Sequence, residues 1–149
     1  PLAESLASFD THDLPTFVSF WKGRPDRESL ERYLHRLGFL ETVPPLIDEV
    51  LRACLRFLAS SPARAVMVNL EDLWLETQQQ NRPGTGGPDE PNWRRRARLS
   101  LEEMQASRDM IEMLTTVNRL RSQRHKPYPE RVSGEANHET NVDRSASPA

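Results

Sequence analysis

The chain has 149 residues, among them 12 prolines and one cysteine, with a net charge of −2 and a mean hydropathy of −0.70. This composition predicts a thin core with long irregular stretches. The nearly balanced charge indicates neither a nucleic-acid partner nor an anionic membrane surface. No apolar run is long enough for a membrane helix and no signal peptide is visible, while a lone cysteine excludes an intramolecular disulfide and favours a reducing, cytoplasmic compartment.

The first predicted element is a short strand over residues 2–9, with Leu6 and Phe9 as its apolar members. The strand ends in the polar sequence Asp-Thr-His-Asp at residues 10–13. Pro15 suits the first turn of a helix, and the apolar residues at 17, 18, 20 and 21 give that helix a wide apolar face. Gly23 and the proline two residues later predict its end.

Two further helices are predicted before the next strand. The first begins at Asp26 or Ser29 and has apolar residues at 30, 33, 34 and 37, which is the spacing of one helical face. Gly38 is predicted as the residue just past its end. The second begins at Pro45, carries a continuous apolar stripe, and ends at the Ser-Ser-Pro sequence of residues 60–62.

A second strand is predicted over residues 63–70, because residues 65–68 form an apolar run that is typical of a strand buried on both faces of a parallel sheet. Polar residues again follow at the strand exit. The order of strand, helices and strand predicts a fold of the repeating βα type.

The rest of the chain divides into a loop, a helix and a tail. The loop covers residues 78–93 and is rich in glycine and proline, and a loop of that length is usually functional or disordered. Ser100 and Glu103 form a capping-box pattern that starts a helix running to about residue 123. Residues 125–149 lack periodicity and predict a disordered tail, which gives two regions, 1–124 and 125–149.

His12 and Asp13 are the strongest candidates for chemistry, and two interpretations stay open for each. Asp13 could cap the helix that begins near Pro15, since Asp is a favoured N-cap residue, and His12 could be a hydrogen-bonded core residue. Side by side at a strand end, however, they fit the face of a (β/α)₈ barrel that carries the active site. Glu71 and Asp72 could likewise be a carboxylate pair, or they could cap the following helix or bind a neighbouring backbone group.

The remaining candidates indicate less. The arginines at 94, 95, 96 and 98 stand near Asp89 and Glu90 and predict an ion-paired surface rather than a nucleic-acid site. The four histidines and Cys54 share no metal-ligand spacing, so no zinc site is predicted. The Gly-Thr-Gly-Gly sequence at 84–87 lacks the lysine of a phosphate loop. Cys54 lies at a core position of a helix and is expected to be inert.

Five segments, taken in order, resemble the C-terminal part of the bacterial 4-alpha-glucanotransferases, also called amylomaltases. They begin with the sequence that contains Thr-His-Asp-Leu-Pro-Thr and end with Pro-Asn-Trp-Arg-Arg, and they lie at residues 6–16, 20–24, 68–73, 80–85 and 91–95. The resemblance covers residues 2 to about 101.

The resemblance implies an alpha-amylase-like (β/α)₈ barrel, in which residues 2–9 are the seventh strand, residues 63–70 the eighth, and residues 100–123 contain the last helix. Enzymes of this family move a 1,4-alpha-glucan segment to the 4-hydroxyl of an acceptor sugar with retention of configuration, and they use no metal or organic cofactor. Such chemistry needs a carboxylate nucleophile and a carboxylic acid/base about 5–5.5 Å apart. The implied partners are maltooligosaccharides and 1,4-alpha-glucans; the oligomeric state is not implied.

The resemblance also implies roles for particular residues. Asp13 would be a third carboxylate that stabilises the transition state, His12 would bind the same sugar, and Asn81 would lie close to the glucan. Trp93 and Arg94 would anchor their loop to the barrel. The nucleophile and the acid/base belong to the family's fourth and fifth strands, so we expect the chain to be a C-terminal fragment that is poorly stable and inactive alone.

Two alternatives from other classes stay open on the sequence. One is a different glycosidase of the alpha-amylase clan, such as a debranching enzyme. The other is a non-catalytic interaction module, in which the arginine cluster and the tail contact a partner.

Overall fold

A computed structural model describes residues 3–88 and 92–124 of the chain. Within them the elements follow in this order: β1 (Leu6–Ala7), α1 (Phe17–Gly23), α2 (Arg27–Arg36), α3 (Ile47–Ala59), β2 (Ala65–Val66), a 3₁₀ helix (Leu70–Trp74), α4 (Leu101–Ala106) and α5 (Arg108–Arg124). The predicted order of strand, helices and strand is present. The predicted disordered tail, residues 125–149, lies outside the described residues.

The two strands pair in parallel, with Leu6 opposite Ala65 and Ala7 opposite Val66. A parallel pair needs a long crossover connection, and α1, α2 and α3 supply it. The predicted parallel relation is confirmed for these two strands. Both strands are nevertheless shorter than predicted, with two paired residues each in place of the spans 2–9 and 63–70.

The burial on both faces that the sequence predicts for the second strand is wrong, and the apolar residues named for the first strand are exposed as well. Leu6 is 61% exposed and Phe9 38% exposed, whereas Ala7 between them is buried. Residues 65–68 are exposed or only partly buried, not covered on both faces. The physical reason is that, in the part of the chain that the structure describes, the sheet has two strands, so the layers that would cover a central parallel strand are not supplied by these residues.

Helix α1 begins two residues later than predicted. Thr16 is its N-cap, and the Thr16 hydroxyl accepts a hydrogen bond from the backbone N–H of Ser19 at 3.4 Å. Pro15 therefore precedes the cap, and Asp13 lies outside the helix altogether. The predicted end is confirmed at Gly23, and Phe17 on the apolar face is buried.

Helix α2 begins after Asp26 and ends in a Schellman motif, as its sequence predicts. Gly38 has φ +76°, a conformation that glycine adopts without steric cost. Its N–H donates to the His35 carbonyl at 2.9 Å, and the next N–H, of Phe39, donates to the Leu34 carbonyl at 2.9 Å. These two bonds satisfy the last carbonyls of the helix and turn the chain toward α3.

Helix α3 forms the centre of the core. Its predicted apolar stripe is buried, with Val50 fully buried and Leu51 and Ala53 1% exposed. Against it pack α2, α5 and residues of the 3₁₀ helix. The buried cluster contains Phe17, Trp21, Leu34, Leu40, Val50, Leu51, Ala53, Cys54, Leu55, Leu73, Trp74, Met110 and Met113. This helical core supports the end of the sheet from which the candidate site emerges.

The last predicted helix is two helices. The capping box at Ser100 is confirmed, since the Ser100 hydroxyl accepts from the N–H of Glu103 and the Glu103 carboxylate accepts from the N–H of Ser100. Ser107, however, is extended with ψ 105° and separates α4 from α5. Its hydroxyl accepts from the N–H of Met110 at 3.4 Å, so a local side-chain bond replaces helical continuity.

Candidate functional site

The candidate site lies where the chain leaves the two parallel strands. β1 ends at Ala7 and β2 at Val66, and because the strands are parallel, residues 8–16 and 67–75 emerge at the same edge. In α/β folds the carboxyl edge of a parallel sheet is where binding sites form. The loop of residues 78–88 follows and returns to this edge, and so do residues 92–93.

Asp13 receives two polar side chains from different parts of the chain. The Asn81 side-chain nitrogen Nδ2 donates to Asp13 Oδ1 at 2.6 Å, and His12 Nε2 lies 3.4 Å from the same oxygen. The structure therefore brings His12, Asp13 and Asn81 together. The His12 and Asp13 side chains are 57% and 48% exposed, so a ligand can reach both.

The capping interpretation of Asp13 is wrong, because Thr16 caps α1. The 2.6 Å bond to Asn81 instead joins residues 68 positions apart in the sequence. Among the described residues, Asp13 Oδ2 receives no hydrogen bond. The carboxylate is thus fixed through one oxygen and presents the other.

Trp93 lies against His12. The two ring centroids are 4.9 Å apart with an interplanar angle of 57°, and Trp93 is 62% exposed. Its backbone has φ +59°, the left-handed region, which is uncommon for a bulky residue and concentrates at functional sites. The Trp93 backbone N–H donates to the Gln80 carbonyl at 2.9 Å, a bond within its own loop, and the Trp93 side chain faces the site. Arg94 likewise donates within the loop, to the Pro88 carbonyl at 3.2 Å, so the expected anchoring of the loop to the barrel by these two residues stays a prediction.

Arginines fasten the same loop to the helical core. Arg95 Nη2 lies 3.4 Å from a carboxylate oxygen of Glu76, and Arg95 Nη1 donates to the Gln78 carbonyl. Arg98 donates to the Trp74 carbonyl. These side chains thus serve a structural role; the expected pairing partners at residues 89 and 90 lie outside the described residues.

Two buried carboxyl groups lie behind the site, and their pairing is not visible in the sequence. Asp10 is 6% exposed and Asp72 4% exposed. Asp72 Oδ1 accepts the backbone N–H of Phe17 at 3.0 Å, while Asp10 Oδ2 lies 3.4 Å from Asn69 Nδ2. The two carboxyl groups lie close enough to influence each other's titration, and their hydrogen bonds join both strand exits to the start of α1.

Burial is the main cause of the titration behaviour of this pair. It raises the pKa of Asp10, and together with the nearby charges of Asp10 and Glu71 it raises the pKa of Asp72 to about 7. Two neighbouring buried carboxylates repel each other when both are ionised, so the pair still holds part of a proton near pH 7. The signal available in sequence was only that Asp10 precedes the Thr-His-Asp sequence.

The suggested carboxylate pair Glu71–Asp72 is not formed as a site. Glu71 accepts a hydrogen bond from the Gln80 side chain, while Asp72 faces Phe17 and Asp10 in the interior. The Asn69 side chain caps the 3₁₀ helix by accepting the N–H of Glu71 at 3.3 Å. The two neighbouring acids thus hold different elements together, and Asp72 binds a backbone N–H, so they serve the fold and do not form a paired site.

The remaining candidates are placed as follows. Cys54 is buried in α3, and burial raises the pKa of its thiol to about 12, which makes it unreactive as expected. The described residues contain no cluster of three or more His, Cys, Asp or Glu side chains arranged to hold a metal ion. No helix within residues 3–88 and 92–124 is both long and apolar enough to cross a membrane.

Two parallel strands joined by a helical crossover form a βα unit of the kind that builds α/β proteins. A family model described as 4-alpha-glucanotransferase, glycoside hydrolase family 77, matches residues 2–101, which include both strands and His12, Asp13, Asn81 and Trp93. The chain belongs to this 4-alpha-glucanotransferase family, and the resemblance of the five segments is confirmed.

The chain is also similar to curated proteins named 4-alpha-glucanotransferase. Those of Mycobacterium bovis and of two Mycobacterium tuberculosis strains are each 32% identical to it, in a match that covers 60% of this chain. The chain spans 16% of the length of these relatives. The family implies an alpha-amylase-like barrel, of which the described residues form a small, mainly helical part with two strands.

Proposed function

We propose that the chain forms part of a 4-alpha-glucanotransferase, in which it supplies one wall of the site that binds the donor sugar. The observation that carries this proposal is the fixed orientation of Asp13, bonded to Asn81 at 2.6 Å and next to His12, within the residues that match the family model. The proposed reaction is transfer of a 1,4-alpha-glucan segment to the 4-hydroxyl of an acceptor glucose or glucan, with retention.

In the proposed fold, β1 and β2 are the seventh and eighth strands of an alpha-amylase-like (β/α)₈ barrel. The parallel pairing and the helical crossover support this assignment. The exposed faces of Leu6 and of residues 65–68 support it further, because the side chains of the barrel interior and the outer ring of helices would cover such faces in a closed barrel. Residues 1–124 would belong to the barrel and 125–149 would be a tail.

Asp13 is proposed as a carboxylate that stabilises the transition state. Retaining transfer passes through a positively charged, oxocarbenium-like sugar ring. Asn81 holds Asp13 Oδ1, which leaves Oδ2 to accept a sugar hydroxyl, and that bond strengthens as positive charge develops on the ring. His12, 3.4 Å from Asp13, would donate to the same sugar.

The nucleophile and the acid/base of this reaction would come from other strands of the barrel, and neither is assigned to a residue of this chain. Retention through two carboxylates requires no metal or organic cofactor. The proposed partners are maltooligosaccharides and 1,4-alpha-glucans. The lone, buried Cys54 supports a reducing, cytoplasmic location.

A chimera tests this proposal. Residues 2–101 replace the matching segment of the Mycobacterium tuberculosis 4-alpha-glucanotransferase, and transfer is measured as the disproportionation of maltotriose, with the unmodified relative as reference. We expect a folded chimera to transfer glucan and the 149-residue chain alone to be inactive, because the chain supplies one of the three carboxylates.

The controls concern folding. A chimera without a cooperative thermal transition is replaced by one that carries the shorter segment 6–93, which keeps both strands and the loop. A cooperatively folded chimera with no detectable transfer contradicts the proposal. So does clear transfer by the purified 149-residue chain.

A further inference from the structure

The loop that follows the 3₁₀ helix carries two of the side chains at the site. Asn81 near its start contacts Asp13, and Trp93 at its end contacts His12. We call residues 80–93 the clasp loop; the structure describes 80–88 and 92–93 of it. Both contacts depend on the two ends of this loop being held at a fixed distance from each other.

One side chain, that of Asn92, closes the clasp loop. Its Oδ1 accepts the backbone N–H of Arg82 at 3.0 Å. Its Nδ2 donates to the Thr85 carbonyl at 3.2 Å and to the Thr85 hydroxyl at 3.0 Å. The Thr85 N–H in turn donates to the Arg82 carbonyl at 3.2 Å, so Asn92 is bonded to both ends of one tight turn.

The backbone completes this unit next to Asn92. The Trp93 N–H donates to the Gln80 carbonyl at 2.9 Å, and Trp93 takes up its left-handed φ of +59° at this point. A left-handed non-glycine residue persists only where surrounding contacts hold it. The bonds of Asn92, one residue earlier, are the contacts that fix the chain there.

We propose that Asn92 is a positioning residue of the donor-sugar site, which closes the clasp loop so that Asn81 stays on Asp13 and Trp93 on His12. The inference rests on the proposed function for its effect on transfer. Its structural part, that Asn92 controls the contacts of Asn81 and Trp93, stands on the hydrogen bonds alone. Asn92 touches neither His12 nor Asp13 and acts through its two neighbours.

Nuclear magnetic resonance of the 149-residue chain tests the structural part, after a cooperative thermal transition has shown that the chain is folded under the conditions used. Trp93, with its ring centroid 4.9 Å from that of His12, shifts the His12 ring-proton resonances by its ring current, and the exposed His35 of α2 gives the unshifted reference. We expect Asn92→Ala to remove this shift as fully as Trp93→Ala does. The matched control Asn118→Ala deletes the same amide from an exposed position of α5 and should leave the His12 resonances unchanged.

Kinetics in the chimera that carries residues 2–101 test the effect on transfer. Misplacing a group at a reacting centre by about 1 Å can cost up to about 10²-fold in rate, and an interaction made in the transition state appears in kcat rather than in KM. We expect Asn92→Ala to lower kcat by about 10–100-fold with a smaller change in KM. The control Asp26→Asn alters the exposed residue that precedes α2 and should leave both constants unchanged.

The two measurements distinguish a failure of the positioning role of Asn92 from a failure of the proposed glucan-transfer function. If Asn92→Ala keeps the His12 ring-current shift, or removes it without lowering kcat, the positioning role is wrong. If the unsubstituted, folded chimera does not transfer glucan, the proposed function fails, and the resonance measurement alone then decides whether Asn92 positions the two contacts. Loss of the shift together with a lower kcat supports both.

Discussion

Replacing Asp72 by Asn should make the folded chain more stable at neutral and alkaline pH. Asp72 is 4% exposed and accepts the N–H of Phe17, and burial and the neighbouring acids Asp10 and Glu71 raise its pKa from 3.8 to about 7. An amide of the same shape keeps the acceptor for the Phe17 N–H and cannot ionise beside Asp10.

The direction in which the free energy of unfolding changes with pH follows from proton binding. Between pH 4 and pH 7 the folded chain holds a proton on Asp72 that the unfolded chain has lost, so the free energy of unfolding falls as the pH rises through this window and is flat above it. A difference between 3.8 and about 7, at about 1.4 kcal/mol for each pH unit, gives about 4 kcal/mol as the upper limit. Because Asp10 shares the proton, the measured value belongs to the pair.

Urea unfolding of the 149-residue chain, followed by tryptophan fluorescence at pH 4.5, 6 and 8, measures this effect. We expect wild type and Asp72→Asn to be similarly stable at pH 4.5, and the variant to be more stable at pH 8 by up to about 4 kcal/mol. The control Asp26→Asn, at an exposed acid bonded to Arg24, should keep the wild-type pH dependence. A wild-type stability that does not change between pH 4.5 and pH 8, or a variant less stable at pH 8, would refute the reasoning.

Three further predictions concern the helical core. Gly38→Ala should destabilise the chain by about 1–2 kcal/mol in a thermal melt, because φ is +76° there. Gly23→Ala, at a helix end with open space around it, should be neutral or slightly stabilising in the same measurement. Arg121→Met should lower the free energy of unfolding in urea by about 2–3 kcal/mol, because its guanidinium donates to four backbone carbonyls. These are the carbonyls of Ala59, Ser61, Ala63 and Arg64. An equal loss for Arg119→Met, at an exposed position of α5, would contradict this. Cys54 should resist thiol reagents at pH 8 in the folded chain and react in urea, because burial raises its pKa to about 12; rapid modification without urea would show that α3 opens easily.

The elements that the sequence predicts correctly are those fixed by nearby residues. The capping box of Ser100 and Glu103 acts over three positions, and Gly38 ends α2 through bonds to the preceding turn. The stripe of α3 is predicted because helical periodicity alone decides which of its residues face inward. Such features need no knowledge of the rest of the fold.

The elements that the sequence misjudges depend on distant residues or on local competition. The length and burial of β1 and β2 depend on neighbouring strands, so a run that is typical of a central strand is exposed in this two-stranded sheet. The break at Ser107 depends on a side-chain bond that competes with the helix. Neither effect has a periodic signature.

Residue types indicated His12 and Asp13 as candidates, but Asn81 and the role of each residue came only from the resemblance. Residue types alone allowed Asp13 to be either a helix cap or a reacting group. The structure excludes the first interpretation, because Thr16 is the N-cap of α1. The contact of Asp13 with Asn81 spans 68 positions, so no local rule identifies it. The buried pair Asp10–Asp72 and the closing role of Asn92 were not predicted, because each becomes visible only once the loops are folded together.

The most direct test of the central claim is the rate of maltotriose disproportionation by the chimera with Asp13→Asn. Loss of one preorganised charge-stabilising group at a transition state costs about 10²–10³-fold in kcat, and we predict a loss of at least that size. Asp26→Asn in the same chimera is the matched control and should retain full activity. An Asp13→Asn chimera that transfers glucan at the control rate would contradict the account.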